Sequence, residues 1–271
     1  MKLALLLLLT AATAPEPGRG FRWRSAPPEA GTPRQRRPAL TSVLASEGAA
    51  LYLRSCATCH GPEGRGDGII AARLQTPPRD FTLAVYKVRS TPSGSLPTDL
   101  DLFQTISRGM HGTEMAPWGR LGERERWALV AHLESLSPRF GGEARERPLA
   151  VPREPRGRAR LRERGQALYG QLQCQNCHGP EGRGDGAGVR AYASEGNRVR
   201  VRDLGRADFV RGDTPRDIFV TLRTGMDGTP MGAYDLAPED LWSLAFYVHD
   251  VLHRPPAPEP APHAEEPGSS H

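Results

Sequence analysis

The sequence predicts an all-α protein built from two copies of one small helical domain. Three observations carry that reading. The thirteen-residue segment Cys56–Gly68 recurs almost unchanged as Cys174–Gly186, 118 residues further on. Apolar residues return at helical spacing, and no stretch alternates as a strand would. Each copy is only about 95 residues long and poor in aromatics, so three short helices need something besides their own side chains to complete a core.

Taken in order, Met1 to Ala14 has a positive start at Lys2, an apolar run from Leu3 to Leu9 and small residues offering Ala12-x-Ala14 as a cleavage pattern. That is the shape of an export signal, too short to span a bilayer. Residues 15–43 are basic and proline-rich and are expected to be disordered, as is the Pro/Ala/Glu tail 256–271. The first domain is read at 44–140 and the second at 160–255, joined by a linker over 141–159. From Arg139 to Arg164 the chain carries nine arginines and four glutamates, the composition of a solvated connector.

Within each copy a helix runs into the first cysteine, over Ser46–Cys56 and Ala159–Cys174. A second opens at Thr98 or Thr214, each an N-cap with an aspartate three residues on, and Pro215 suits the first helical position. The last covers Glu123–Leu136 and Pro238–Leu252, where Leu241, Leu244, Ala245 and Val248 follow the 3.6-residue period. The repeat extends beyond the cysteines: Gly112-Thr113-Glu114-Met115 matches Gly228-Thr229-Pro230-Met231, and Trp127 matches Trp242.

Charge and length exclude several classes. The 36 Lys and Arg against 31 Asp and Glu give a formal +5, nearly all of it arginine in apparent connectors. With no binding motif beside it, that is no nucleic-acid signature. No transmembrane span is expected in the mature chain, and four cysteines are too few for a disulfide scaffold.

Those four cysteines form two Cys-x-x-Cys-His motifs, Cys56-Ala57-Thr58-Cys59-His60 and Cys174-Gln175-Asn176-Cys177-His178. This is the attachment signature of c-type haem. Two thiols three positions apart on a helical turn can each add across one porphyrin vinyl group, and the adjacent imidazole then lies beneath the iron. A haem fastened in this way also supplies the missing apolar core. A redox dithiol would not need a histidine after both motifs, and a zinc site made of all four thiols would need the two copies to converge.

On these residues the chain resembles the class I c-type cytochromes, as a tandem two-haem member, over roughly 200 of its 271 residues. Each half keeps the family's order of parts: Gly48 to Tyr52 and Gly165 to Tyr169 on the first helix, and Trp127 and Trp242 on the last. The resemblance implies two covalent haem c groups held by Cys56, Cys59, Cys174 and Cys177, with His60 and His178 as axial ligands. It favours Met115 and Met231 as the sixth ligands and leaves Met110 and Met226 to packing. It also implies a proline carbonyl behind the proximal histidine, for which Pro77 or Pro78 is available in the first half only. Arg79, Lys87 and Arg202 are candidates to pair haem propionates, while His111, His132, His249 and His253 are read as surface or packing residues.

His/Met ligation saturates the iron and suits electron transfer. The expected function is a periplasmic or otherwise exported single-electron carrier between donor and acceptor proteins, with acidic partner surfaces favoured by the basic charge. A haem subunit of a larger exported oxidoreductase is a close variant. An enzyme of the peroxidase or sulfur-compound dehydrogenase type would need one open or unusual sixth position, and both halves carry the same Gly-Thr-x-Met loop.

Overall fold

The computed structural model describes residues 32–189, 201–206 and 209–252. The segment expected to be an export signal, the start of the basic segment, His253 and the Pro/Ala/Glu tail lie outside the described residues. Among those described there is no strand, and no helix is long and apolar enough to cross a membrane.

The first half opens with α1 (Ser42–Ser55), whose N-cap Thr41 accepts a hydrogen bond from the Leu44 amide. The cap lies ahead of the expected start, so the segment read as disordered up to residue 43 already contains the first helical residues. Just before it, the Arg34 and Gln35 amides donate to the Glu123 carboxylate, and Arg37 pairs with Asp99. The single turn α2 (Ala57–His60) follows, then α3 (Asp99–Arg108) and α4 (Glu123–Ser135). Thr98 caps α3 as expected: Thr98 and Asp101 each satisfy the other's backbone amide. The short α5 (Arg139–Gly142) begins the connector.

The second half repeats the plan with α6 (Arg158–Gln171), the turn α7 (Gln175–His178), α8 (Pro215–Thr224) and α9 (Pro238–Tyr247), the last continued by a wide π turn over Val248–Leu252. Helix α6 stops three residues before Cys174, short of the expected end, because Gln173 turns to a positive φ of 57°.

In each half the first and last helices form the main helix pair, and a missing side chain lets them touch. A Cβ on Gly48 would stand 1.9 Å from the Ala128 carbonyl oxygen, and one on Gly165 would stand 2.0 Å from that of Ser243. Only glycine fits between backbones at that separation. Around each crossing the aromatics fill the core: Trp127 stacks on Phe103 with centroids 4.3 Å apart, and Trp242 tilts against Phe219 at 4.7 Å. His132 packs its ring against Tyr52 at 4.8 Å, a packing role as expected.

The connector is not loose where it leaves the first half. Arg139 donates to the carbonyls of Ala84 and Gly94, Arg145 donates to the Pro97 carbonyl and pairs with Asp99 and Glu134, and the Leu149 amide donates to the Ser90 carbonyl. The second half is closed by Arg158 on α6, which grips Asp250 through two donors at 2.8 and 2.5 Å, while His249 bonds the same carboxylate at 2.7 Å.

The Arg158 hydrogen bonds hold the Asp250 carboxyl down at about 2, against an ordinary value of 3.8. A carboxyl depressed on folding contributes stability that is complete above its unfolded value and is lost as pH falls through its folded one. Asp250→Asn should therefore destabilise the second half at neutral pH and flatten its stability loss between about pH 4 and 2. Denaturant unfolding across that range checks this; an unchanged acid limb would refute the assignment.

Candidate functional site

Each Cys-x-x-Cys-His motif sits where the first helix breaks. Cys56 leaves helical geometry at φ −121°, and α2 makes one turn before Gly61 reverses the chain at φ +78°. The buried Tyr52 locks that reversal by donating its hydroxyl to the Gly61 carbonyl at 2.8 Å; Tyr169 does the same to Gly179 at 2.7 Å. The result is a rigid turn that presents two sulfurs and one imidazole to the same space.

That space in the first half is an apolar cavity with about 1310 Å³ of empty volume, counting its open mouth. Cys56, Cys59 and His60 line it together with Leu102, Ile106 and Leu129, and Met110 and Met115 both border it. It is the apolar void that the short helices leave in their core.

The His60 imidazole is set for metal ligation. Its Nδ1 lies 3.1 Å from the Arg79 carbonyl oxygen and its ring stacks on Phe81 at 4.5 Å, so Nε2 is left to the cavity. Burial lowers its pKa, which keeps the ring neutral with a lone pair available. The supporting carbonyl thus belongs to Arg79 rather than to Pro77 or Pro78. A carbonyl is common to every residue, so its position in the loop decides, and the repeat supplies the counterpart at Arg202. Burial lowers the His178 pKa in the same way, and the Arg202 carbonyl opposes that shift. The His178 Nδ1 meets no partner at strict hydrogen-bond geometry, so the second support is the weaker one.

The thiols argue against dithiol redox chemistry. Burial pushes the Cys56 thiol up to about 11 and raises Cys59 and Cys174 as well, the reverse of what an attacking thiolate requires. No group of three or more His, Cys, Asp or Glu among the described residues could hold a metal ion, so the four thiols do not converge on zinc. Tyr234 reaches Cys174 in the second half, and burial raises its phenol to about 12.

A haem fits this site. Besides the sulfurs and the imidazole, two half-buried cations border the first cavity: Arg79 and Lys87 both have pKa values lowered chiefly by desolvation, and Lys87 is lowered further by Arg79 and Arg202. Crowded, partly desolvated positive charge of this kind suits carboxylates, and haem carries two propionates. Of the candidates read from the sequence, Arg79 and Lys87 meet here, and Arg202 of the second half lies within electrostatic reach of Lys87.

The two methionine loops share one frame. The Met110 amide donates to the Met115 carbonyl at 3.0 Å, and the Thr113 hydroxyl donates to the Met110 carbonyl at 2.7 Å and accepts from the Met115 amide at 3.2 Å. Met226, Thr229 and Met231 repeat these bonds at 2.9, 2.6 and 3.2 Å. Sequence reasoning missed one feature of the second loop: Asp227 reaches across to Arg89 of the first half. The sequence holds only a faint sign of it, the mismatch of Asp227 with His111.

Comparison with known proteins agrees with this geometry. Residues 43–133 match the family described as cytochrome c oxidase, cbb3-type, subunit III, and residues 162–251 match the family described as cytochrome c. Among solved structures, the chain is similar to one from the reducing HAO-like protein complex of Kuenenia stuttgartiensis, with 37% identity and a TM-score of 0.74. The match covers 81% of this chain and the whole of that one.

Proposed function

Because the chain belongs to the class I c-type cytochromes as a tandem two-haem member with two covalent haem c groups, we propose that it carries single electrons between exported redox proteins. One observation carries the reading: the Thr-braced methionine loop is built alike in both halves, and in the first it borders the same cavity as the motif. Nothing in that pair of loops singles out one half for substrate chemistry.

In this account Cys56, Cys59, Cys174 and Cys177 would fasten the porphyrins by thioethers. His60 and His178 would hold the irons through neutral imidazoles, and Met115 and Met231 would supply thioether sulfurs as the further ligands. When bound, each haem supplies a one-electron couple. The chain's own part is to keep that couple dry and stiff. The Arg79 carbonyl fixes the His60 ring and tunes its basicity. Leu102, Ile106 and Leu129 exclude water, and Arg79, Lys87 and Arg202 neutralise the propionates. The net positive charge favours acidic partner surfaces, so association should weaken as salt rises.

The similarity to a chain of a protein complex favours a second form of the same function, a haem subunit that hands electrons to or from one dedicated partner.

Axial ligation is the point to test. Met115→Ala and Met231→Ala should each remove half of the weak red absorbance band of oxidised Fe–S(Met) and lower the potential of one haem, since methionine ligation raises it. A band left intact in either variant would reassign that ligand to Met110 or Met226. Turnover of peroxide or thiosulfate by the purified protein would favour an enzyme over a carrier.

A further inference from the structure

In the second methionine loop, Asp227 stands where the first has His111. Its side chain leaves its own half entirely. One carboxylate oxygen accepts from the Arg89 guanidinium at 2.8 Å and from the Ser93 hydroxyl at 2.7 Å, and the other accepts from the Gly94 amide at 2.8 Å. All three donors belong to the first half.

Arg89 is fully buried, at 0% exposure. Its remaining donors meet the carbonyls of Tyr86 at 3.0 Å, Pro92 at 3.1 Å and, across the junction, Thr224 at 2.5 Å. Asp227 therefore supplies the negative charge that this buried cation needs. Beside it, Gly228 lies so close to Arg79 that a Cβ there would stand 2.9 Å from Nη1.

The strip that receives Asp227 is part of the first haem site. Its residues Arg79, Tyr86 and Lys87 border the first cavity, and the Arg79 carbonyl holds His60. One face of residues 79–94 thus serves the first haem while the other seats the loop that closes over the second.

We infer that Asp227 is a positioning residue for electron exchange between the two haems: it clamps the Met226–Met231 loop onto the first half and so fixes the separation of the two irons. The exchange moves one electron from one iron to the other and makes or breaks no bond. The inference rests on the carrier reading above and adds to it that the two haems act as a relay.

The test uses full-length mature protein with both haems attached. One haem per molecule is reduced by a laser flash with a small photoreductant, and the redistribution that follows is timed. Wild type should show a phase independent of protein concentration. Asp227→Ala should slow it at least about tenfold, which corresponds to about 1.4 kcal/mol in rate, because the released loop no longer holds its place on the first half. Asp227→Asn, which keeps an acceptor oxygen but no charge, should fall between, and both variants should keep two haems and the full Fe–S(Met) band. A wild-type rate in Asp227→Ala would overturn the assignment. So would loss of the second haem's red band, which would show that Asp227 merely holds its own loop. If wild type itself lacks the concentration-independent phase, the relay fails whatever the variants do.

Discussion

Replacing Cys174 and Cys177 together by alanine should yield a protein with one covalent haem instead of two, its first half still folded and red. The two cores are separate: Tyr52, Phe103 and Trp127 anchor one, and Tyr169, Phe219 and Trp242 the other. The second core should suffer most, because its helices alone bury too little and the porphyrin would no longer be fastened among them. The mirror variant, Cys56→Ala with Cys59→Ala, should reverse the pattern. A haem stain after denaturing electrophoresis, paired with the absorbance of the reduced haem per chain, reads both. Retention of two haems in either variant would break the link between motif and attachment.

The second large effect comes from a hydrogen atom. Gly165→Val should destabilise the second half by more than about 4 kcal/mol, the range reserved for severe steric or cavity defects. The first atom of any side chain would overlap the Ser243 carbonyl, and backbone cannot step aside as a flexible side chain can. Gly170 lies five residues further along the same helix with nothing within 4 Å of its Cβ position. Gly170→Ala should therefore stabilise by about 0.5–1 kcal/mol, through helix propensity alone. Denaturant unfolding of the two variants side by side checks both signs. Equal effects would mean that the helix crossing does not govern the stability of this half.

Most of the fold was legible because the information is local. Thr98 and Thr214 announce their helices by side-chain chemistry within four residues, and Cys-x-x-Cys-His places its three functional atoms within one turn. Duplication helped further. Gly48 and Gly165, each four residues ahead of a tyrosine, match the order of parts that the resemblance implies, and the structure places both at the helix crossing.

What stayed hidden lies in groups that sequence does not distinguish or in contacts between distant residues. The carbonyl behind His60 comes from Arg79 and not from a proline, since every residue offers the same oxygen. The early start of α1 came from Thr41 as its cap, inside a stretch whose composition reads as loop. The connector looked free because nine arginines suggest solvent, yet Arg139 and Arg145 spend their donors on carbonyls and carboxylates of the first half. The Arg89–Asp227 pair spans 138 residues. No spacing rule reaches that far, and only the break in repeat symmetry at His111 and Asp227 hinted that one loop has a different neighbour.

The central claim is that two porphyrins are bonded to this polypeptide, one through each Cys-x-x-Cys-His motif. Whole-protein mass spectrometry under denaturing conditions, on mature material from a host competent in haem attachment, tests it most directly. The account predicts a single species heavier than the polypeptide by two haem groups, with peptides bearing Cys56–Cys59 and Cys174–Cys177 each carrying one. A chain at its bare polypeptide mass, or one carrying a single haem, would contradict it.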